Sequence, residues 1–357
     1  MTIAVNERMN AQNTNETDKV NKFINQLIGI STLVPREIKG KKFTPPVYTR
    51  RIVTIVGLKT ATGRFLPVSH AGYSNETYVD KVDLLGKTRA EFIGRKLKGI
   101  ERRAHMALFR EMIEEYQKDS EQKTDWQTIF NKQFNSACLI PDKLCLACWN
   151  CSLFGGMESQ FKKAGTFSRI RYFDTYSVED ASECIQTDDS PEQMAIGNTV
   201  GEDLSVERGE ASFHRYEYVK AGTRFPFITI IESPTLLDVA GYISAVRLAD
   251  QHGYGKYSAN HGKFKTEFLA MSAGYPQFSV LDMLTWIEEN EDINNLRQKL
   301  KFENVVDQAV ILLDSEIESI QQKLGEAFKE YLAAIESLSS TSNAESGGRG
   351  RRGRRGE

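Results

Sequence analysis

Hydrophobic positions fall in three rhythms along this chain. The first is the unbroken apolar run. YTRRIVTIVGL, Tyr48 to Leu58, is β-branched and poor in helix formers, and its turn-rich flanks predict a buried strand. FPFITIIES, Phe225 to Ser233, reads the same way, and SRIRYFDTYSVED (168–180) and KFKTEFLAM (263–271) supply two more strands. The second rhythm steps by three or four residues. Between Gly94 and Lys118 it carries Leu97, Ile100, Ala104, Leu108 and Met112, which predicts an amphipathic helix with a looser basic start around Gly99. KVNKFINQLIG predicts a shorter helix that stops before Pro35. TLLDVAGYISAVRLADQ predicts a third, with Ser233 as N-cap and Pro234 at the first helical position. The third rhythm is a heptad-like seam: Val306, Val310, Leu313, Ile317, Ile320, Leu324, Phe328, Tyr331, Ile335 and Leu338. Such a face either packs on its own domain or meets another subunit.

The order of these elements is informative. A helix follows the first strand, another precedes the last, and two strands lie between, which is a split βαβ arrangement: an α+β, ferredoxin-like core. No repeat interrupts it. The expected division is a polar, Asn-rich, disordered stretch over 1–17, a first core part over 18–129, and an insertion over 130–156. A second core part covers 157–275 with a long protrusion near 186–211. A C-terminal helical region spans 276–338, and a flexible Arg-Gly tail closes the chain over 339–357.

Composition narrows the class. The chain has 357 residues, 40% hydrophobic and 26% charged, enough for a true core. No apolar run approaches the roughly 20 residues of a membrane span. The first residues carry no apolar signal-like segment, so a cytoplasmic protein is expected. The net charge of -2 conceals segregation. Residues 36–64 hold eight basic side chains against one acidic, residues 87–103 seven against two, and residues 178–210 one against ten. If the basic strand and basic helix start fold together, Arg50, Arg51, Lys59, Thr60, Arg64, Arg95, Lys96, Lys98 and Arg102 form a phosphate-binding face. Tyr48, Phe65, Tyr73 and Phe92 lie nearby as stacking candidates. The plainer alternative is a set of solvated faces. The acidic segment is either solvated as well or complementary to a basic face on another copy.

The sharpest chemical signal is Cys138-x6-Cys145-x2-Cys148-x2-Cys151. Thiolates two residues apart chelate one ion from a tight turn, and four of them satisfy a tetrahedral Zn2+ in a closed, structural site. An iron–sulfur cluster is the competing occupant, although the expected next cysteine position holds Gly155, and unligated thiols are the other alternative. Cys184 or His105 is the alternative to Cys138 as fourth ligand. A second motif, HGYGKYSANHG (252–262), has Gly-x-Gly without the third glycine of a dinucleotide fingerprint, and it precedes a strand. Gly253, Tyr254, Gly255 and Lys256 are therefore read as a backbone loop that approaches RNA phosphates, against a plain hairpin loop. GLKTATGR (57–64) lacks the ending of a phosphate-binding Walker loop. Catalysis is weakly supported: His252 and His261 flank the glycine loop, and Asp80 and Asp83 follow the first strand.

Residues 93–103, IGRKLKGIERR, resemble the Gly-x-x-Leu-Lys-Gly-x-x-Arg signature of the RAMP (repeat-associated mysterious protein) superfamily of CRISPR systems. The glycine loop over 253–262 sits where that superfamily has its own. The cysteine cluster running into Phe154-Gly155-Gly156, with RYEYVKAGTRFPF (215–227), is similar to the backbone subunit of the type I-D Cascade complex. The resemblance implies a modified RNA-recognition-motif palm and a subunit that polymerises along a CRISPR guide RNA. It implies presentation of the guide to a target DNA strand, or to RNA, in antiviral defence, without catalysis by this chain. Its partners would be further copies of itself, a 5′-end cap subunit, a large subunit and small subunits, with no membrane. A thumb-like hairpin would lie at about 186–211, with Met194 and Ile196 as the wedge between bases. A RAMP-type endoribonuclease and a zinc-stabilised protein-interaction scaffold are the alternatives.

Overall fold

A computed structural model describes residues 16–38, 40–67, 76–118, 125–158, 164–188, 215–255, 260–289, 292–303 and 310–346. In chain order its main elements are α1 (16–24), β1 (Ile52–Ala61), β2 (Lys81–Leu84), β3 (Lys87–Phe92), α2 (Gly94–Lys118), α3 (Trp126–Gln133) and α4 (Trp149–Phe154). Then come β4 (Ile170–Tyr172), β5 (Ile185–Asp188), β6 (Arg215–Val219), β7 (Arg224–Glu232), α5 (Leu236–His252) and β8 (Phe264–Ser272). The chain continues through α6 (Val280–Glu289), α7 (Ile293–Lys299), β9 (Ile311–Leu312), α8 (Asp314–Gln322) and α9 (Leu324–Ser346).

The central sheet has the order β9-β8-β1-β7-β4, and every neighbouring pair is antiparallel. Helix α2 links its first strand to β4, α5 links β7 to β8, and the two helices pack together. This is the expected ferredoxin-like, modified RNA-recognition-motif core. Burial explains why β1 reads as an unbroken apolar run. Val53 and Ile55 pack with Val239, Tyr242 and Ile243 of α5. Ile52, Val56 and Leu58, on the opposite face, pack with Met283, Leu284 and Leu296 of α6 and α7. A sheet covered on both sides needs no polar alternation.

Several boundaries differ from the sequence expectation. The cap of α5 is Thr235, not Ser233: its hydroxyl accepts from the Asp238 amide, and Asp238 returns the bond to the Thr235 amide. Ser233 instead sits at φ 48°, and its hydroxyl serves Thr49 and Val47. The C-terminal seam is not one helix. Ile311 and Leu312 form the edge strand against Ser272 and Met271, and the helices resume at Asp314. Helix α9 runs on to Ser346, past the expected boundary at 338. Its apolar face, with Phe328, Tyr331 and Ile335, is buried inside the same chain against Phe109 and Trp149, which answers the question the heptad pattern left open. Sequence reading missed the β2–β3 hairpin. Its two-residue turn is Leu85-Gly86, both at positive φ (54° and 74°), the geometry that matches strand twist. Gly86 was the available signal. The protrusion begins as two antiparallel arms, β5 and β6. Residues 189–214, with Met194 and Ile196, lie outside the described residues, as do Tyr73, Lys256 and residues 347–357 of the Arg-Gly tail.

Candidate metal centre and nucleic-acid interface

The four predicted cysteines meet. Cys138, Cys145, Cys148 and Cys151 are all buried, and their sulfurs lie within 4.8 Å of one another. Cys138 Sγ is 3.6 Å from Cys148 Sγ and 3.5 Å from Cys151 Sγ. A tetrahedron with metal–sulfur bonds of about 2.3 Å has edges near 3.8 Å, so this donor set fits one ion. The backbone amides of Ala147 and Cys148 point at Cys145 Sγ, at 3.5 and 3.2 Å, as donors to a thiolate. Burial pushes the Cys145 and Cys148 thiols up, a cost that a cation among the sulfurs would remove. Cys138 is thus the fourth member. Cys184 is packed elsewhere, against Ser177, and His105 Nδ1 is engaged with Asn150.

The cysteine segment is tied to the core through Trp149. Its ring is fully buried against His105 and Phe109, and its Nε1 donates to Asp238 Oδ1 at 3.0 Å. A Cβ on Gly241 of α5 would lie 2.3 Å from that ring, so only glycine admits the indole. Asp238 also takes two bonds from Arg169, at 2.8 and 3.0 Å. Burial alone would raise the Asp238 carboxyl; the Arg169 charge and bonds, with those from Thr235, outweigh it and hold it below the usual range.

The basic residues divide into two groups. Arg95 and Lys96 are exposed at the start of α2, and Arg50 is exposed ahead of β1. Lys98 is half-buried, with Nζ 2.6 Å from Ser168 Oγ. Burial first, then the neighbouring Arg102, lowers its pKa to about 8. Arg102 reaches Asn150 Oδ1 at 3.1 Å, and its Nη2 is buried without a hydrogen-bond partner. Among the described residues, no carboxylate pairs with Arg95, Lys96, Lys98 or Arg102. The second group turns inward. Arg51 donates to the Leu27 carbonyl, Arg64 stacks 4.6 Å over Tyr218, and Thr60 is half-buried in the sheet.

Two expectations need correction. Lys59 is 1% exposed, bonded to Tyr254 Oη (2.9 Å) and Thr266 Oγ1 (3.0 Å) and paired with Glu101 (3.2 Å) and Asp250 (3.5 Å). Tyr254 is fully buried and donates to Glu101 at 2.9 Å. Neither side chain reaches the surface, because partners from distant helices capture both. Phe65 and Phe92 are likewise buried, whereas Tyr48 is exposed. Of the glycine loop, Gly253 is buried and Gly255 is exposed. His252 is exposed at the end of α5, and Asp83 is exposed and accepts from Thr88. Asp80 lies beside Glu91, whose carboxyl is raised by burial first and then by the charges of Asp174 and Asp80. Among the described residues, the cysteines are the one group of potential ligands close enough to share a metal.

The fold and the site define an α+β protein with a ferredoxin-like core and an inserted four-cysteine centre. The chain belongs to the Csc2 Crispr family, whose family model matches residues 69–345. No curated protein matches the sequence. Among solved structures, Csc2 of Thermofilum pendens is similar at 16% identity and a TM-score of 0.48, covering 82% of this chain and 90% of that one. A chain of a CRISPR RNA-guided surveillance complex, pre-nicking, is similar at 11% identity and 0.43, covering 76% and 99%. Csm3 of Methanopyrus kandleri is similar at 12% identity and 0.41, covering 78% and 98%. No helix among the described residues is long and apolar enough to cross a membrane.

Proposed function

We propose that this chain is a non-catalytic backbone subunit of a type I-D CRISPR effector, polymerising along the guide RNA in the prokaryotic cytoplasm. Family membership over residues 69–345 carries the reading. Several copies hold one guide and present it to the target strand, alongside cap, large and small subunits. The exposed Arg95 and Lys96, with Lys98 and Arg102 behind them, give it a physical basis. A protein that must hold any guide contacts phosphate and sugar, not base edges, and cations without carboxylate partners do that. Base pairing then reads the sequence. The hairpin that starts with β5 and β6 is the thumb, with Met194 and Ile196 as its wedge. The four cysteines hold Zn2+ as a structural ion.

Fluorescence anisotropy with single-stranded RNAs of increasing length and unrelated sequence tests the RNA reading. Stoichiometry rising stepwise with length, with salt-sensitive and sequence-tolerant affinity, is the expected result. RNA shortened on a denaturing gel would replace it with the nuclease, and absence of binding at low salt with the scaffold. The zinc reading predicts about one zinc per chain by elemental analysis and a lower melting temperature after chelation. A metal-free protein of equal stability would refute it.

A further inference from the structure

Lys59 and Tyr254, which sequence reading placed on the RNA surface and the structure places inside, join one connected group with Glu101, Asp250 and Thr266. Lys59 comes from β1, Glu101 from α2, Tyr254 from the glycine loop, Asp250 from α5 and Thr266 from β8. The Tyr254 hydroxyl sits between the first two, accepting from Lys59 and donating to Glu101, each at 2.9 Å. Its ring is boxed edge-on by Phe92 (5.7 Å) and Phe264 (5.2 Å). Asp250 accepts from the Thr266 amide and hydroxyl, both at 2.9 Å, and closes the group on its other side.

The backbone around Tyr254 is just as constrained. Its amide donates to the Gly262 carbonyl at 2.7 Å, and the Gly262 amide donates to the Arg64 carbonyl at 2.6 Å. Gly262 is at φ 69°, and a Cβ there would lie 1.8 Å from the Tyr254 carbonyl oxygen. The two ends of the loop are therefore pressed together, and one side chain, Tyr254, fastens them to α2. Glu101 lies within the same helix start that carries Arg95, Lys96, Lys98 and Arg102.

We infer that Lys59, Glu101 and Tyr254 are positioning residues: a buried clamp that holds the glycine loop at a set distance from the basic start of α2, so that both meet one RNA backbone together. This rests on the RNA-holding reading above. None of the three touches RNA. They act by fixing where the two described ends of the loop, 253–255 and 260–262, lie relative to the exposed cations. A clamp of this kind suits a ligand with a regular phosphate spacing, since two contact points on one strand must keep their separation.

Tyr254→Phe keeps the ring and removes only the bridging hydroxyl. Hydrogen exchange on the free protein is expected to show the Tyr254 and Gly262 amides exchanging about tenfold faster while the sheet amides stay unchanged. RNA affinity is expected to fall about tenfold on every sequence with the slope of log affinity against log salt unaltered, because no phosphate contact is removed. Partial unfolding would also lower affinity at unaltered slope, but it would speed exchange of the sheet amides as well, which the clamp leaves unchanged. Glu101→Gln retains an oxygen that accepts from Tyr254 and is expected to stay within about twofold of the parent; Glu101→Leu is expected to match Tyr254→Phe. Unchanged exchange at the two amides overturns the clamp whatever RNA does. Faster exchange with undiminished affinity overturns its positioning role. A parent protein that binds no RNA while exchange still accelerates removes the RNA-holding reading and the role assigned to the clamp within it, leaving only a local fastening.

Discussion

The end of β1 and the start of α2 are both basic in sequence, yet they do opposite things. At the strand end, Lys59 is enclosed by two carboxylates and two hydroxyls. At the helix start, Lys98 has Arg102 one turn away and no carboxylate partner among the described residues. The difference is supplied by other segments. Asp250 is remote in the chain from Lys59, and Glu101 comes from the next helix. A local count of basic residues therefore does not tell an inner charge from an outer one; partners brought by the topology decide it.

The comparison breaks most visibly at Lys59. Lys59→Met leaves Glu101 and Asp250 buried without their cation and is expected to cost about 3–5 kcal/mol, read as a lower denaturation midpoint. Unchanged stability would mean that the strand end and helix start do not differ as described. Lys96→Glu is the matched change at the helix start. Folding stability is expected to stay within about 0.5 kcal/mol of the parent. RNA binding weakens on all sequences alike, and the salt slope falls by about 0.7. Loss on one sequence alone would contradict phosphate contact.

The smallest effect is set by Lys98. Its folded pKa of about 8 lies below its ordinary 10.5, so between those values the folded chain binds fewer protons than the unfolded one. Folding stability therefore rises with pH across that window. RNA affinity runs the other way, falling above about pH 8 as the contact loses its charge. Lys98→Arg is expected to abolish the inflection in an affinity titration, and its persistence would assign the proton to another group.

Much of this architecture was legible in the chain. The unbroken run of β1 announced a strand covered on both faces, and the spacing of Cys145, Cys148 and Cys151 announced a shared site that Cys138 completes. The interior of the interface was not legible. Tyr254 reads as part of a backbone loop that approaches RNA phosphates, and only the approach of Glu101 and Lys59 shows that its side chain faces inward. Ser233-Pro234 carried a sound helix-start signal, but the capping box formed at Thr235 because Asp238 lies three residues further on, and Ser233 was drawn to Thr49. The seam from Val306 onward kept helical spacing through Ile311 and Leu312, where the open edge of β8 recruited them as a strand.

The closure of the cysteine centre by α9 has a consequence for the order of events in the cell. The four sulfurs belong to residues 138–151, but Phe328 and Tyr331, which pack in the cluster containing them, are synthesised after them. An ion held as proposed would thus meet its ligands before α9 is made. If the sulfurs hold an ion as proposed, docked α9 packs over it, and the rate at which a chelator strips the protein reports how often that helix opens.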